Sequence, residues 1–165
     1  MVKYFGEKNY EHGSDDKTGV LITNLGTPDA PKRKELKKYL NQFLSDPRVI
    51  EIPKFIWQLI LQLVILQIRP SKSAAAYKKI WTENGSPLLD ISIRQLNAIK
   101  NKLSKSDPNM VIALGMRYGN PSIESALDSL VDFGCDKIIA IPLYPQYSLS
   151  AWESSSQKVK SLFKN

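Results

Sequence analysis

Three apolar runs alternate with helix-patterned stretches along this chain, and each run ends in a loop crowded with polar and aromatic side chains. That order limits the fold more than any other feature. Residues 19–24 lead into Asn24-Leu25-Gly26-Thr27-Pro28, and residues 110–116 into Met116-Arg117-Tyr118-Gly119-Asn120-Pro121. Residues 137–143 lead into Pro142-Leu143-Tyr144-Pro145-Gln146-Tyr147-Ser148. The first run, Gly-Val-Leu-Ile-Thr-Asn, is apolar without alternation, as in a strand buried on both faces. Strands separated by helices predict a parallel α/β layer with right-handed crossovers. In such sheets ligands bind at the carboxyl ends of the strands. Three chemistry-bearing loops at one edge therefore predict one site.

At 165 residues the chain has the length of a single domain, and 42% hydrophobic residues suffice for a core. A formal charge of +7 and a pI of about 9.4 favour acidic partners: nucleic acid, anionic lipid, or a carboxylate or phosphate ligand. Lysines spread along helix-patterned faces (Lys32, Lys34, Lys37, Lys38; Lys100, Lys102, Lys105) read as a solvated surface, and no nucleic-acid-binding motif accompanies them. Cys135 is the single cysteine, which excludes an internal disulfide or a cysteine-rich metal site; it reads as a buried, inert thiol. Residues 1–17 are polar, lack a signal-peptide core and read as a flexible arm carrying the single histidine, His12. The expected location is cytoplasmic.

The first helix is expected after Asp29 and Pro31, with Leu36, Tyr39, Leu40, Phe43 and Leu44 inward, ending near Ser45-Asp46-Pro47. Residues 55–68 then carry no charge at all. They are too short to cross a bilayer, which takes about 20 apolar residues. Core packing and an exposed lip touching ligand or membrane are equal readings, with Trp57, Lys54 and Arg69 suited to an interface. Arg69-Pro70 is expected to end this segment, with a short helix over residues 72–80. Ser86 and Pro87 open another helix with Leu89, Ile93, Leu96, Ile99 and Leu103 inward. Asn120 is read as the cap of the next, which has Ile123, Ala126, Leu127, Leu130 and Val131 inward and ends at Gly134. An amphipathic stretch over residues 152–163 closes the chain.

Several chemistries lack their residues. Neither the dinucleotide nor the P-loop glycine pattern occurs, and a lone histidine in the arm serves neither a serine-hydrolase triad nor a protein zinc site. What remains is a set of cations, phenols and hydroxyls: Arg69, Lys72, Tyr77, Ser86, Arg117, Tyr118, Tyr144 and Tyr147. Arginine and lysine hold carboxylates, and tyrosine offers a flat apolar face with one donor. The combination suits a large, flat, hydrophobic ligand with carboxylate arms. Each residue taken singly reads equally as local packing.

Five blocks now stand in order: Asn24-Leu25-Gly26-Thr27-Pro28-Asp29, Phe43-Leu44-Ser45-Asp46-Pro47-Arg48-Val49, Gly85-Ser86-Pro87-Leu88, Met116-Arg117-Tyr118-Gly119-Asn120-Pro121 and Tyr144-Pro145-Gln146-Tyr147-Ser148. Together they resemble ferrochelatase of the bacterial type, from about Gly19 to Ser148. The resemblance implies a Rossmann-like (chelatase-like) domain over residues 18–165, the first of two such halves around a porphyrin cleft. It implies insertion of ferrous iron into protoporphyrin IX or a related porphyrin, in haem synthesis. Matching residue by residue, Arg69, Lys72, Tyr77 and Ser86 fall on lip and propionate-contacting positions. Leu25 falls over one porphyrin face, Arg117 and Tyr118 on the cleft floor near the metal, and Tyr144 on a further cleft position. Residues 52–72 match an apolar lip, with Phe55, Ile56, Trp57, Leu59, Ile60 and Leu63 at a peripheral membrane contact on the inner face.

Two departures stand out. Where the family continues with a Ser/Thr-rich run, this chain reads Leu149-Ser150-Ala151-Trp152-Glu153-Ser154. Family members also run to roughly twice this length, as for two domains of ~150 residues. Their catalytic histidine and metal-path acids lie in the half not present here. The resemblance thus implies a chain that anchors porphyrin and holds no catalytic residue, no metal ligand, no cofactor and no iron–sulfur cluster, with iron and porphyrin as substrates and the second half as partner. The alternatives are a non-catalytic porphyrin-binding module and a truncated inactive product.

Overall fold

The computed structural model describes residues 17–163. Most of the arm assigned from the sequence, His12 included, lies outside them, and Lys17 already belongs to the first strand. The three apolar runs form strands β1 (Lys17–Thr27), β2 (Met110–Gly119) and β3 (Cys135–Pro142), each longer than its apolar run or begun earlier. All pair in parallel in the order β2-β1-β3, so β1 is central. Val20, Leu21, Ile22 and Thr23 of β1 are buried in succession, as expected of a strand covered on both faces.

Two helical layers do the covering. Val20 and Ile22 of β1, with Leu114 and Met116 of β2, pack against α4 (Pro87–Ser106) through Leu89, Leu96, Ile99 and Leu103. The inward positions of α4 run 89, 92, 96, 99, 103, so Ser92 takes the place expected of Ile93, which is exposed. On the opposite face Leu21 meets Ile123, Ala126, Leu127 and Leu130 of α5 (Ile123–Asp132), with Val159 and Leu162 of α6 (Ser154–Leu162) alongside. Val131 is exposed rather than inward. The cap of α5 is Ser122, whose hydroxyl accepts from the Ser125 N–H; Asn120 instead donates to Asp29 (2.9 Å). Cys135 is half-buried at the start of β3 rather than fully buried.

A third cluster lies at the carboxyl ends of the strands. It joins Tyr39, Leu40 and Leu44 of α1 (Arg33–Leu44) to Leu61, Leu66 and Tyr118, with Leu25, Phe43 and Trp57 packed around them. Leu61 and Leu66 come from the uncharged segment, which forms α2 (Lys54–Ile60), a π-helical turn (Leu61–Ile65) and α3 (Leu66–Ile80) in continuous succession. The expected break at Arg69-Pro70 is absent. Pro70 has no N–H to offer the preceding turn, yet the helix runs through it, about one turn past a widened π turn. From just past that turn the Gln67 side chain donates to the Gln62 carbonyl at 2.9 Å, satisfying a backbone acceptor locally. Its inner side (Trp57, Leu61, Ile65, Leu66) is core, and its outer side (Phe55, Ile56, Leu59, Ile60, Leu63, Val64, Ile68) is exposed. The core reading therefore holds for the inner side, and the outer side is exposed.

Candidate functional site

Two glycines set the close approach on which the strand-end site is built. In the paired registers Gly26↔Tyr118 and Thr27↔Gly119, Gly26 adopts φ +102° and Gly119 φ +83°. A Cβ on Gly26 would lie 1.7 Å from the Tyr118 carbonyl oxygen, and one on Gly119 2.3 Å from that of Thr27. Only glycine permits both the left-handed conformation and the contact. The result sets Leu25, Thr27 and Tyr118 side by side where β1 and β2 end.

The hub of the site is Asp46, which follows the C-terminus of α1 and whose side chain is 2% exposed. Its Oδ2 accepts from Ser154 Oγ (2.5 Å), Arg117 Nη2 (2.7 Å) and the Tyr118 hydroxyl (3.0 Å), while Oδ1 accepts the Arg48 N–H (2.9 Å). Arg117 is also fixed through Nε to the Ser154 hydroxyl (2.7 Å) and carbonyl (3.1 Å), and its guanidinium stands 4.5 Å over the Tyr118 ring. One carboxylate thus joins the loop after α1, the end of β2 and the start of α6. Burial by itself would raise the Asp46 pKa. The Ser154 hydroxyl, the Arg48 N–H, the Tyr118 hydroxyl and the Arg117 charge outweigh it and hold the carboxyl below its usual range.

Tyrosines surround this hub. Tyr118 is fully buried with its ring edge-on to Phe43 at 5.2 Å, and burial pushes its phenol up to about 12. Tyr39 donates to the Gly26 carbonyl (3.3 Å) and meets Tyr77 edge-on at 6.5 Å; burial raises its pKa strongly, with Tyr77 adding to the effect. Burial also raises Tyr144. The Ser155 hydroxyl and the Arg117 charge temper that shift, although the Tyr144 and Ser155 hydroxyls are both buried without a hydrogen bond of good geometry.

The structure brings Leu25, Tyr77, Ser86, Arg117, Tyr118 and Tyr144 to the strand-end region and leaves Arg69 and Lys72 exposed on α3. Ser86 sits at the N-cap position of α4 but makes no cap bond; its hydroxyl accepts from Thr27 Oγ1 (2.8 Å) instead. Tyr118 lies beneath the surface of the site, not open on its floor. Trp57, assigned to the lip surface, turns inward and donates to the Leu44 carbonyl (2.6 Å). Trp152 is half-buried against Tyr147, with ring centroids 5.5 Å apart. Asp46, Tyr39 and Ser154 were not legible as site residues. Asp46 stood within the block Phe43-Leu44-Ser45-Asp46-Pro47-Arg48-Val49, where a carboxylate just past a helix end reads as a stop signal. Among the described residues no group of histidine, cysteine and carboxylate side chains is arranged to hold a metal ion.

Residues 17–165 match the family model for ferrochelatase. The chain belongs to the ferrochelatase family. It is 55% identical over 163 residues to a ferrochelatase of Alcanivorax borkumensis, covering 98% of this chain and 48% of that protein. A ferrochelatase of Idiomarina loihiensis is 50% identical over 155 residues (93% and 43%), and ferrochelatase 2 of Shewanella oneidensis is 53% identical over 137 residues (83% and 42%). The chain spans about half the length of the curated relatives it matches. The α/β domain with its parallel three-stranded sheet is in keeping with a chelatase-like, Rossmann-like fold. No helix among the described residues is long and apolar enough to cross a membrane.

Proposed function

We propose that this chain is the porphyrin-anchoring part of a chelatase that inserts ferrous iron into protoporphyrin IX or a related porphyrin. The observation that carries the reading is the match to ferrochelatase over nearly the whole chain. The strand-end cluster supports it, because it offers cations, phenols and an apolar surface to a flat, carboxylate-armed ring. In this reading Arg69 and Lys72 hold the propionates by charge-assisted hydrogen bonds, and Tyr77 and Ser86 contribute from the strand-end side. Leu25 covers one face of the ring, and Tyr144 and the Asp46-fixed Arg117 border it. The outer side of the lip, from Phe55 to Ile68, touches the membrane from which a lipophilic porphyrin is drawn.

Metal insertion requires the two pyrrole N–H protons to leave and the ring to bend so that its nitrogens face the metal. Distortion of that kind costs about 1–5 kcal/mol, drawn from contacts remote from the reacting centre. Propionate anchoring is such a contact. In this reading the general base for the protons is the family's histidine in the half not present here, and the described residues contain no histidine. The 165-residue chain alone is therefore expected to bind porphyrin and not to metallate it. Arg69→Ala should weaken porphyrin binding about tenfold, the loss of one charge-assisted hydrogen bond of ~1.5 kcal/mol. An unchanged Kd in a fluorescence-quenching titration removes Arg69 from the site, and iron or zinc insertion by the isolated chain contradicts the division of labour.

A further inference from the structure

Beside the lip lies a basic hollow that the porphyrin reading does not use. It has a volume of about 480 Å³, with Arg33, Lys34, Lys37 and Lys38 of α1 on one wall and Gln62 and Leu66 on the other. The hollow exists because α1 and the lip helix run antiparallel. Trp57 and Gln58 bond to Leu44 and Ser45, Gln62 to Asn41, and Arg33 to the Gln67 carbonyl. Among the described residues these four cations make one ion pair, a loose one from Lys38 to Asp29 at 3.9 Å between exposed side chains.

The exposed apolar side of the lip begins where this basic wall stops. Gln62 bonds to Asn41 at the edge of the hollow, and Phe55, Ile56, Leu59, Ile60, Leu63 and Val64 of the same segment are exposed. Phe55 is 77% exposed and Leu63 70%. An uncharged arc bordered by a row of cations, on a helix lying flat, matches the chemistry of a bilayer interface. The apolar side enters the acyl boundary while lysines meet headgroups. A second copy of the chain is a poorer occupant, since it would bring a like row of cations to the same face.

We propose that this face docks on anionic lipid, with the hollow between α1 and the lip helix seating the phosphate of an anionic headgroup. The inference rests on the reading of the lip as a membrane contact and adds a headgroup preference to it. Each lysine near an anionic surface contributes about a fivefold gain in partitioning.

The test is vesicle flotation of the full chain with phosphatidylcholine alone and with roughly one third phosphatidylglycerol added, at low and high salt. Binding should be more than tenfold tighter to the anionic vesicles and weaken with salt. Lys34→Gln with Lys37→Gln should cost about 25-fold on anionic vesicles and nothing on neutral ones. Leu59→Ser with Leu63→Ser should weaken binding to both, and all variants should keep the parent melting temperature because these side chains lie on the surface. Equal partitioning into both vesicles, or no effect of the lysine pair, overturns the headgroup site while leaving the lip reading standing. No partitioning into either, with or without a dimer in sedimentation, overturns both. Neither result bears on porphyrin binding, which is titrated without lipid.

Discussion

At the scale of single residues, Asp46 carries more of the site than its place in the sequence announces. A buried carboxylate accepting three donors at one oxygen is stable only while all of them remain. Asp46→Ala leaves the Arg117 guanidinium without its buried partner and should cost about 3 kcal/mol in denaturant unfolding. The pH dependence follows from the direction of its shift. With the folded-state pKa depressed, the contribution is fully present above the unfolded value of about 3.9 and is lost as pH falls through the folded value. The parent chain should therefore lose stability steeply below pH ~4, and Asp46→Asn should flatten that acid limb as well as lower the plateau. Gly26→Ala tests the close approach of β1 and β2. A methyl group 1.7 Å from the Tyr118 carbonyl forces the strand ends apart, at a cost of more than about 2 kcal/mol seen in the unfolding midpoint.

At the scale of elements, the lip helix divides sharply into two sides. Leu61 is fully buried and Leu63 70% exposed, two residues apart. Leu61→Ala should cost about 3 kcal/mol of stability and Leu63→Ala less than about 0.5, read by the same thermal or denaturant melt. Equal losses would mean that the outer side is covered in solution. The lack of charge in residues 55–68 showed that the segment was special but not which side faced in, because a helix with apolar residues all round has no readable face. Its continuity through Pro70 was illegible for a related reason. Proline is a local stop signal, while the π turn before it and the Gln67–Gln62 bond at its end depend on the folded helix pair. By contrast the inward faces of α1, α4 and α5 were readable from helical spacing, with one flanking position wrong in two of them, Ile93 and Val131. Both lie one position beyond a residue that points inward, where a sequence repeat cannot fix the angle to the sheet.

At the scale of the whole molecule, the strand–helix order dictated the sheet, and the central place of β1 follows from its doubly buried run. Gathering of the strand-end loops was legible for the same reason: parallel strands put their carboxyl ends on one edge. The interior wiring was not. Contacts such as Asp46 with Ser154 join residues 108 positions apart, and no local pattern specifies which distant hydroxyl closes on a carboxylate. The central claim is that this chain anchors a porphyrin through its carboxylate arms. The most direct measurement is a fluorescence titration of the 165-residue chain with protoporphyrin IX and, in parallel, with its dimethyl ester. The account predicts saturable one-to-one binding of the free acid and binding of the ester at least tenfold weaker, as two charge-assisted contacts are lost. Equal affinity for acid and ester, or no saturable binding of either, would contradict it.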